Sequence, residues 1–276
     1  MKVVKDKLSR RVSTALILVA VVIGLVVLVD PLAFSIILGF ISALGGWEWC
    51  RLRNGKFDLF HDSLFVVLIA VGIPILFSIT EAIPWILGIG VVWWLWCLIH
   101  LFLSSNSTST KGWHAQWWKG VFVLLPGGVA ICVVNNISSD AYWLTISCLI
   151  LIWTSDTCAY FVGKKYGKRA LASVISPSKT IEGFLAGIFG VILVAVLLFL
   201  ALVRIIDIPF YYWLTLCLFT GVFSVVGDLT ESAFKRAAGV KDSGNLIPGH
   251  GGVLDRIDSS LASFPIFASG LLLFLK

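Results

Sequence analysis

Residues 228–258 read DLTESAFKRAAGVKDSGNLIPGHGGVLDRID, and this polar segment lies between two long apolar runs. It holds nine acidic or basic residues and one histidine, in a chain of 276 residues that is 59% hydrophobic and only 13% charged. A soluble domain is roughly 25% charged. Because apolar runs flank the segment on both sides, it must lie at a membrane surface or line a cavity close to one.

Apolar runs long enough to cross a bilayer as helices recur along the whole sequence. They predict an all-α polytopic membrane protein with about nine transmembrane helices. The predicted spans are 12–29, 31–48, 63–80, 82–103, 119–135, 141–162, 180–203, 209–227 and 260–276. We divide the chain into 1–140, with about five spans, and 141–276, which carries the polar segment.

Basic residues indicate how the chain is oriented. With the N-terminus in the cytoplasm, all but two of the 21 lysines and arginines lie in cytoplasmic segments or at their boundary, the exceptions being Arg204 and Lys276. Such an excess on one side is the positive-inside pattern. It predicts that the polar segment faces the cytoplasm, and it explains the net charge of +6 without nucleic acid as a partner.

Several other kinds of site are disfavoured by spacing. The six cysteines form no C-x-x-C pair and the four histidines form no H-E-x-x-H motif, so a redox, zinc or histidine metal site is not expected. A P-loop is excluded because His250 and Gly251 stand where Lys and Ser or Thr are required. The cysteines are predicted to be buried, unreactive thiols.

The first part of the polar segment has helical spacing. Asp228, Ser232 and Lys235 are at i, i+4 and i+7, so they share one face of a helix, with Glu231 beside them. One reading is a surface helix with a Glu231–Lys235 pair. A functional site on this face is favoured over that reading. The face continues from an apolar span, where an acid raises the free energy of the folded protein by a few kcal/mol unless it is paired, hydrated or metal-bound.

The second part combines glycines, bases and acids. Glycine-rich backbone after Lys241 and Asp242 lets amides approach phosphate oxygens, as at Gly251 and Gly252. The motif Asp255-Arg256-Ile257-Asp258 adds two carboxylates just before the last predicted span. Together with Asp228 they form an oxygen ligand set suited to Mg²⁺. Arg256 could instead neutralise both aspartates as a structural ion pair.

A second polar region covers residues 156–182. Asp156 lies near the end of a predicted span, and an intramembrane acid indicates a functional site by default. Lys164, Lys165, Lys168 and Arg169 are read as topogenic charge. Ser176 and Pro177 are read as the cap and first residue of the next helix, whose N-terminus, with Lys179 and Thr180, would attract anions. Glu182, in the first turn of that helix, either interacts with the helix dipole or holds a ligand-binding residue in place.

The polar residues occur at fixed intervals that resemble the signature of the phosphatidate cytidylyltransferase family (CDP-diacylglycerol synthases). The matching positions are Asp156-Thr157, Ala159-Tyr160, Gly163, Gly167-Lys168, Ser176-Pro177, Lys179-Thr180, Glu182-Gly183, Gly227-Asp228, Glu231-Ser232, Lys235-Arg236, Lys241-Asp242, Pro248, His250-Gly251-Gly252, Asp255-Arg256 and Asp258. The resemblance is close in the C-terminal half, whereas the first five spans match only in being apolar.

The resemblance implies that the chain converts CTP and phosphatidate to CDP-diacylglycerol and pyrophosphate, as a homodimer in the inner membrane of a bacterium. Mg²⁺ and a second, monovalent cation are the expected cofactors. The expected catalytic residues are Asp228, Ser232, Lys235 and Asp255, and the expected metal ligands are Asp228, Asp255 and Asp258. The expected substrate contacts are Asp156, Ser176, Lys179, Arg236, Lys241, Asp242, His250, Gly251, Gly252 and Arg256.

Since the nucleophile is already a phosphate anion, no general base is required, and His250 is read as a nucleotide or pyrophosphate contact. Rival functions are cytidylyl transfer to an isoprenoid lipid phosphate, a CTP-dependent kinase with a polyprenol acceptor, an ion-coupled transporter, and a membrane scaffold. The transporter is disfavoured because the acids cluster towards one face, and a scaffold would leave the charges of 228–258 without a role.

Overall fold

The computed structural model describes residues 2–104, 112–138, 140–202, 207–247 and 251–275. Its α-helices are α1 (Lys2–Leu28), α2 (Pro31–Asn54), α3 (His61–Ser78), α4 (Ile83–Ser104), α5 (Trp117–Asn136), α6 (Tyr142–Tyr166), α7 (Ile181–Leu202), α8 (Phe210–Ala237) and α9 (Leu254–Leu275). A short antiparallel hairpin, β1 (Ala170–Ala172) and β2 (Ser176–Thr180), joins α6 to α7.

Eight of the helices in the described ranges, α2 to α9, are long and apolar enough to cross a membrane. The described part of the chain is therefore mainly helical and has the build of a polytopic membrane protein. The predicted count of nine spans is not confirmed, since within the described residues α1 contributes only the shorter apolar stretch Leu16–Leu28.

Local sequence explains where individual helices start and stop. Asp30 caps α2, its side chain accepting a hydrogen bond from the Ala33 amide at 3.1 Å, and Pro31 occupies the first turn. Gly55 ends α2 in the left-handed conformation, with φ of 68°. Helix α7 starts at Ile181, where the Thr180 hydroxyl accepts a hydrogen bond from the Gly183 amide at 3.1 Å.

Ser176 and Pro177 therefore do not open α7, contrary to the prediction. They lie in β2, and Thr180 supplies the cap. Proline is tolerated there because a two-stranded hairpin consists only of edge strands, in which an amide without a ladder partner costs little. The Ser-Pro pair suits a helix start and a strand start equally, and the actual helix begins four residues after Pro177.

Contacts between helix ends bring the polar loops together at one end of the bundle. At the start of α3, Asp62 accepts hydrogen bonds from Arg53 at the end of α2 and from Trp117 at the start of α5, both at 2.9 Å. We use "polar end" for the end formed by the last turns of α2, α6 and α8 and the first turns of α3, α5, α7 and α9.

The interior is closely packed around α9 and α8. Helix α9 packs against α2, α4 and α5 as well as α8, so helices of the two predicted regions share one core; the division at residue 140 stays a prediction. Two buried tryptophans bind backbone oxygens of other segments: Trp49 Nε1 donates to Gln116 O at 3.0 Å, and Trp213 Nε1 donates to Ala195 O at 2.9 Å. All six cysteines are free; five are buried as predicted, whereas Cys158 is partly exposed.

Candidate active site

The site is built on the last turns of α8. This helix runs without a break from the apolar run through the polar residues, so Asp228, Ser232 and Lys235 do share one face. Ser232 Oγ donates to Asp228 Oδ1 at 3.3 Å. The helical reading of 228–236 is thereby confirmed, and the helix carries its charged residues directly out of the apolar core.

Lys235 is buried between two carboxylates. Its Nζ lies 2.7 Å from Glu231 Oε2 and 2.6 Å from Asp255 Oδ1. The expected Glu231–Lys235 pair is present, but it is part of a buried three-membered group instead of a solvated surface pair. Removing one partner of such a buried ionic group strongly destabilises the folded protein, because the remaining charges stay desolvated.

Asp255 lies in the first turn of α9, not before the last helix as predicted from hydropathy. Its Oδ2 accepts from the amides of Gly252 at 2.8 Å and Ser243 at 3.0 Å, in addition to the Lys235 contact on Oδ1. These donors fix the carboxylate on the helix N-terminus, where negative charge is favourable. Asp255 thus links the loop after α8, the start of α9 and Lys235.

The β-hairpin supplies the second lysine. Lys179 on β2 forms an ion pair with Asp228, and both side chains are about three-quarters buried. Arg236 also connects α8 to the hairpin region, because its Nε donates to Ile175 O at 3.2 Å. On the other side, Glu182 in the first turn of α7 accepts from the amides of Lys168 at 3.0 Å and Arg169 at 3.2 Å. Glu182 therefore holds the hairpin in place.

Asp156 approaches this group from α6. It is exposed, and the charges that act on its carboxylate are those of Lys179, Asp228 and Arg256. Arg256 is itself exposed, and the described residues show no ion pair from it to Asp255 or Asp258. Asp255 is paired with Lys235 instead. Three elements, α6, β2 and α8, thus contribute charge to one surface.

A further group of acids lies beneath that surface. Asp258 interacts electrostatically with Asp228 and with Glu231, and Glu231 Oε1 is buried without a hydrogen-bond donor. Carboxylates that face one another repel and call for a proton or a cation between them. Within the described ranges, no three acidic, histidine or cysteine side chains lie close enough together to bind a metal ion by themselves.

Taken together, the site presents two lysine–carboxylate pairs, a hydroxyl and excess carboxylates at the edge of an apolar bundle. Such a site can neutralise anionic groups and orient them, which is the main requirement for transfer of a phosphoryl or nucleotidyl group.

Comparison with known proteins narrows the range of reactions that this site could catalyse. The model of the "Cytidylyltransferase family" matches residues 9–274.

The chain belongs to the cytidylyltransferase family.

Three curated relatives agree with this assignment over almost their whole length. The chain is 36% identical over 276 residues to the phosphatidate cytidylyltransferase of Pseudomonas aeruginosa, covering 95% of this chain and 96% of that one. It is 35% identical to the enzyme of that name from Haemophilus influenzae, covering 95% and 97%. It is 34% identical to the one from Bacillus subtilis, covering 97% and 98%. The resemblance noted in the sequence is confirmed.

Not all of the residues expected from this family meet in the structure. Lys241 and Asp242 are exposed on the loop after α8. Ser176 lies in β2, and the Gly252 amide already donates to Asp255. The expected contact His250 lies outside the described residues. At these positions and at Gly251, as at the other expected site residues, the assigned roles stay predictions.

Sequence reasoning missed Glu48. This residue of α2 is fully buried at the polar end, where its carboxylate accepts hydrogen bonds from Ser243, Val253 and Leu254. A signal was present, because Glu48 stands between Trp47 and Trp49 at the end of an apolar run, and an acid in such a run indicates a special role. Its partners, about 200 residues away, cannot be read from that signal.

Proposed function

We propose that this member of the cytidylyltransferase family transfers the cytidylyl group of CTP to phosphatidate, which gives CDP-diacylglycerol and pyrophosphate. The observation that carries the proposal is the pairing of Lys179 with Asp228 and of Lys235 with Asp255, side by side along α8. Three relatives that bear the name phosphatidate cytidylyltransferase align over almost their entire length. A nucleotidyltransferase of phospholipid biosynthesis is therefore the best-supported reading.

In this reaction a phosphate oxygen of phosphatidate attacks the α-phosphorus of CTP. A new P–O bond forms, and the bond from the α-phosphorus to the oxygen that bridges to the β-phosphorus breaks, so that pyrophosphate leaves. The nucleophile is already an anion and needs no general base. The phosphatidate phosphate, the α-phosphate of CTP and the leaving pyrophosphate are all negatively charged. Neutralising and aligning these groups therefore accounts for most of the catalysis.

The two lysines are suited to different parts of that task. Lys235 is buried and held from two sides, so it acts as a fixed positive charge. Lys179 is more accessible and belongs to a small hairpin, so it is the lysine able to turn from Asp228 towards a phosphate of either substrate. Ser232, which donates to Asp228, is placed to donate to a phosphate oxygen in its stead.

Mg²⁺ fits the donor set. Asp228, Glu231 and Asp258 interact as carboxylates, and Glu231 Oε1 lacks a donor, so the group is short of positive charge. Carboxylates combined with substrate phosphates are the ligands that Mg²⁺ prefers. Asp228 and Asp258 would hold the ion, which when bound neutralises phosphate charge. Asp255 stays in the expected set, although its oxygens already accept from Lys235, Ser243 and Gly252.

A second, monovalent cation is expected in the same acidic surroundings.

We further propose that the polar end faces the cytoplasm of a bacterial inner membrane, as the excess of basic residues in its loops supports. A cysteine placed at Lys56 should then react with a membrane-impermeant thiol reagent only in inside-out vesicles, and one placed at Glu81 only in right-side-out vesicles. The reverse pattern would overturn the orientation. Assembly as a homodimer stays an expectation from the family.

A direct assay tests the proposed reaction and its rivals together. Purified protein in detergent receives CTP labelled at the α-phosphate, Mg²⁺ and one acceptor at a time: phosphatidate, an isoprenoid ether-lipid phosphate, or a polyprenol. We expect label in the lipid fraction with phosphatidate, accompanied by one pyrophosphate per lipid labelled. Labelling only with another acceptor, or transfer of the γ-phosphate to polyprenol, would replace the proposed substrate.

A further inference from the structure

Glu48 is a buried carboxylate far from the polar segment in sequence, and the reaction above does not use it. It lies near the end of α2 with no exposed surface. A buried charge must be compensated by hydrogen bonds or an opposite charge. The compensation comes from the opposite half of the chain, at the start of α9.

The Glu48 carboxylate caps α9. Its Oε2 accepts from the Leu254 amide at 2.8 Å and its Oε1 from the Val253 amide at 3.1 Å. The first amides of a helix have no partners within the helix, and the residue before α9 is Val253, whose side chain cannot accept a hydrogen bond. An acid from α2 therefore performs the task that a local Ser or Asp performs in other helices, and its charge suits the helix dipole.

Glu48 and Asp255 divide the donors of the same loop between them. Ser243 donates its hydroxyl to Glu48 at 3.1 Å and its amide to Asp255 at 3.0 Å. The amide of Gly252 goes to Asp255, whereas that of its neighbour Val253 goes to Glu48. Glu48 and Asp255 are thus held by the same loop, and Asp255 in turn contacts Lys235.

Two glycines of the loop, Gly244 and Gly252, leave the space that the Glu48 carboxylate occupies. A Cβ atom on Gly252 would lie 2.5 Å from Glu48 Oε1, and one on Gly244 would lie 2.8 Å from Glu48 Cδ. The lack of side chains at these positions is therefore explained by Glu48 as well as by phosphate approach. Both oxygens of Glu48 are engaged by donors of the chain and lie away from solvent, so Glu48 itself does not contact substrate.

We propose that Glu48 is a positioning residue for cytidylyl transfer: by capping α9 and binding Ser243, it fixes Asp255 and Lys235 in the arrangement that the reaction requires. The proposal rests on the function proposed above. It assigns to α2, in the half of the chain that carries none of the motif residues, a direct part in ordering the site.

The test compares Glu48→Gln with the wild type under saturating and limiting substrate. Glutamine keeps the size of the side chain but presents an NH₂ group to donors that need acceptors. We expect kcat per folded molecule to fall about 10- to 100-fold, as for residues that orient a catalytic group, with KM for CTP and phosphatidate within about twofold. Glu48→Asp, which keeps the charge, should recover part of kcat. The matched control is Glu81→Gln at the opposite end of the bundle, which should behave as wild type.

A second variant keeps the inference testable if Glu48→Gln does not fold. Ser243→Ala removes the hydroxyl bond to Glu48 and leaves the amide bond to Asp255. We expect kcat to fall severalfold and the melting temperature in detergent to fall by only a few degrees, because two of the three hydrogen bonds to Glu48 remain. Wild-type kcat in folded Glu48→Gln, or in Ser243→Ala where Glu48→Gln does not fold, overturns the positioning role. A wild-type protein that transfers no cytidylyl group would instead overturn the proposed function.

Discussion

Lys179 on the β-hairpin forms an ion pair with Asp228 on α8, which joins the segment between α6 and α7 to the helix that carries most of the site. The pair is partly accessible, unlike the buried contacts of Lys235. A polyanionic substrate can therefore compete for Lys179 while the core of the site stays intact. This difference between the two lysines leads to separate expectations for stability and for turnover.

Lys179→Ala should reduce turnover far more than stability. The pair is about three-quarters buried, so its loss should cost more than the ~0–1 kcal/mol of a surface pair and less than the ~3–5 kcal/mol of a fully buried one, and the melting temperature in detergent should fall by a few degrees. The loss of a charge that stabilises the transferring phosphate should lower kcat by about 100- to 1,000-fold. Parallel thermal unfolding and initial-rate measurements check this. A large loss of stability with normal kcat would make Lys179 a structural residue.

Lys235→Met should impair both stability and turnover. It leaves Glu231 and Asp255 buried without their shared counter-charge, which costs about 3–5 kcal/mol in the free energy of unfolding. The control is Lys165→Met, which removes an exposed lysine of the same half of the chain and should leave both properties unchanged. If Lys235→Met is as stable as Lys165→Met, the buried network is not formed as described.

Asp258→Asn should raise the Mg²⁺ concentration required for activity. It removes one of the carboxylates that face Asp228 and Glu231, so the ion is held less tightly. Loss of a metal ligand or its support typically lowers affinity or activity about 10- to 100-fold. Titration of Mg²⁺ after treatment with EDTA, with initial rate as the readout, measures the shift. An unchanged Mg²⁺ requirement would remove Asp258 from the ligand set.

Gly252→Ala should disrupt the start of α9. The added Cβ would collide with the Glu48 carboxylate and the Ser243 hydroxyl in a tightly packed place. We expect loss of activity and a melting temperature lower by several degrees, because overpacking a buried site costs about 1–3 kcal/mol. Gly88→Ala is the control, since its Cβ would meet no atom within 4 Å. Equal behaviour of the two variants would contradict the packing of Glu48 against this loop.

The helical architecture was predictable because apolar runs of the required length are a direct consequence of burial in lipid. The shared face of Asp228, Ser232 and Lys235 was equally predictable, since it depends only on helical spacing within nine residues. The family resemblance rested on the same local pattern. These features lie close together in sequence, where periodicity and spacing carry the information.

The remaining features depend on tertiary structure. Hydropathy placed the last span too late, because the first turns of α9 contain Asp255 and Asp258 and therefore read as a loop. The hairpin strand β2 was missed because Ser176 and Pro177 are as typical of a helix start as of an edge strand. Glu48 has partners 195 to 206 residues away, so nothing in its neighbourhood indicates them.

The most direct test of the site is the rate at which purified Asp228→Asn transfers label from the α-phosphate of CTP to phosphatidate, compared with the wild type at equal amounts of folded protein. Asparagine keeps the shape of the side chain but removes the charge that pairs with Lys179 and faces Asp258. We predict steady lipid labelling by the wild type and a rate lower by at least about 1,000-fold in the variant. Labelling by Asp228→Asn at the wild-type rate would contradict the assignment of this site.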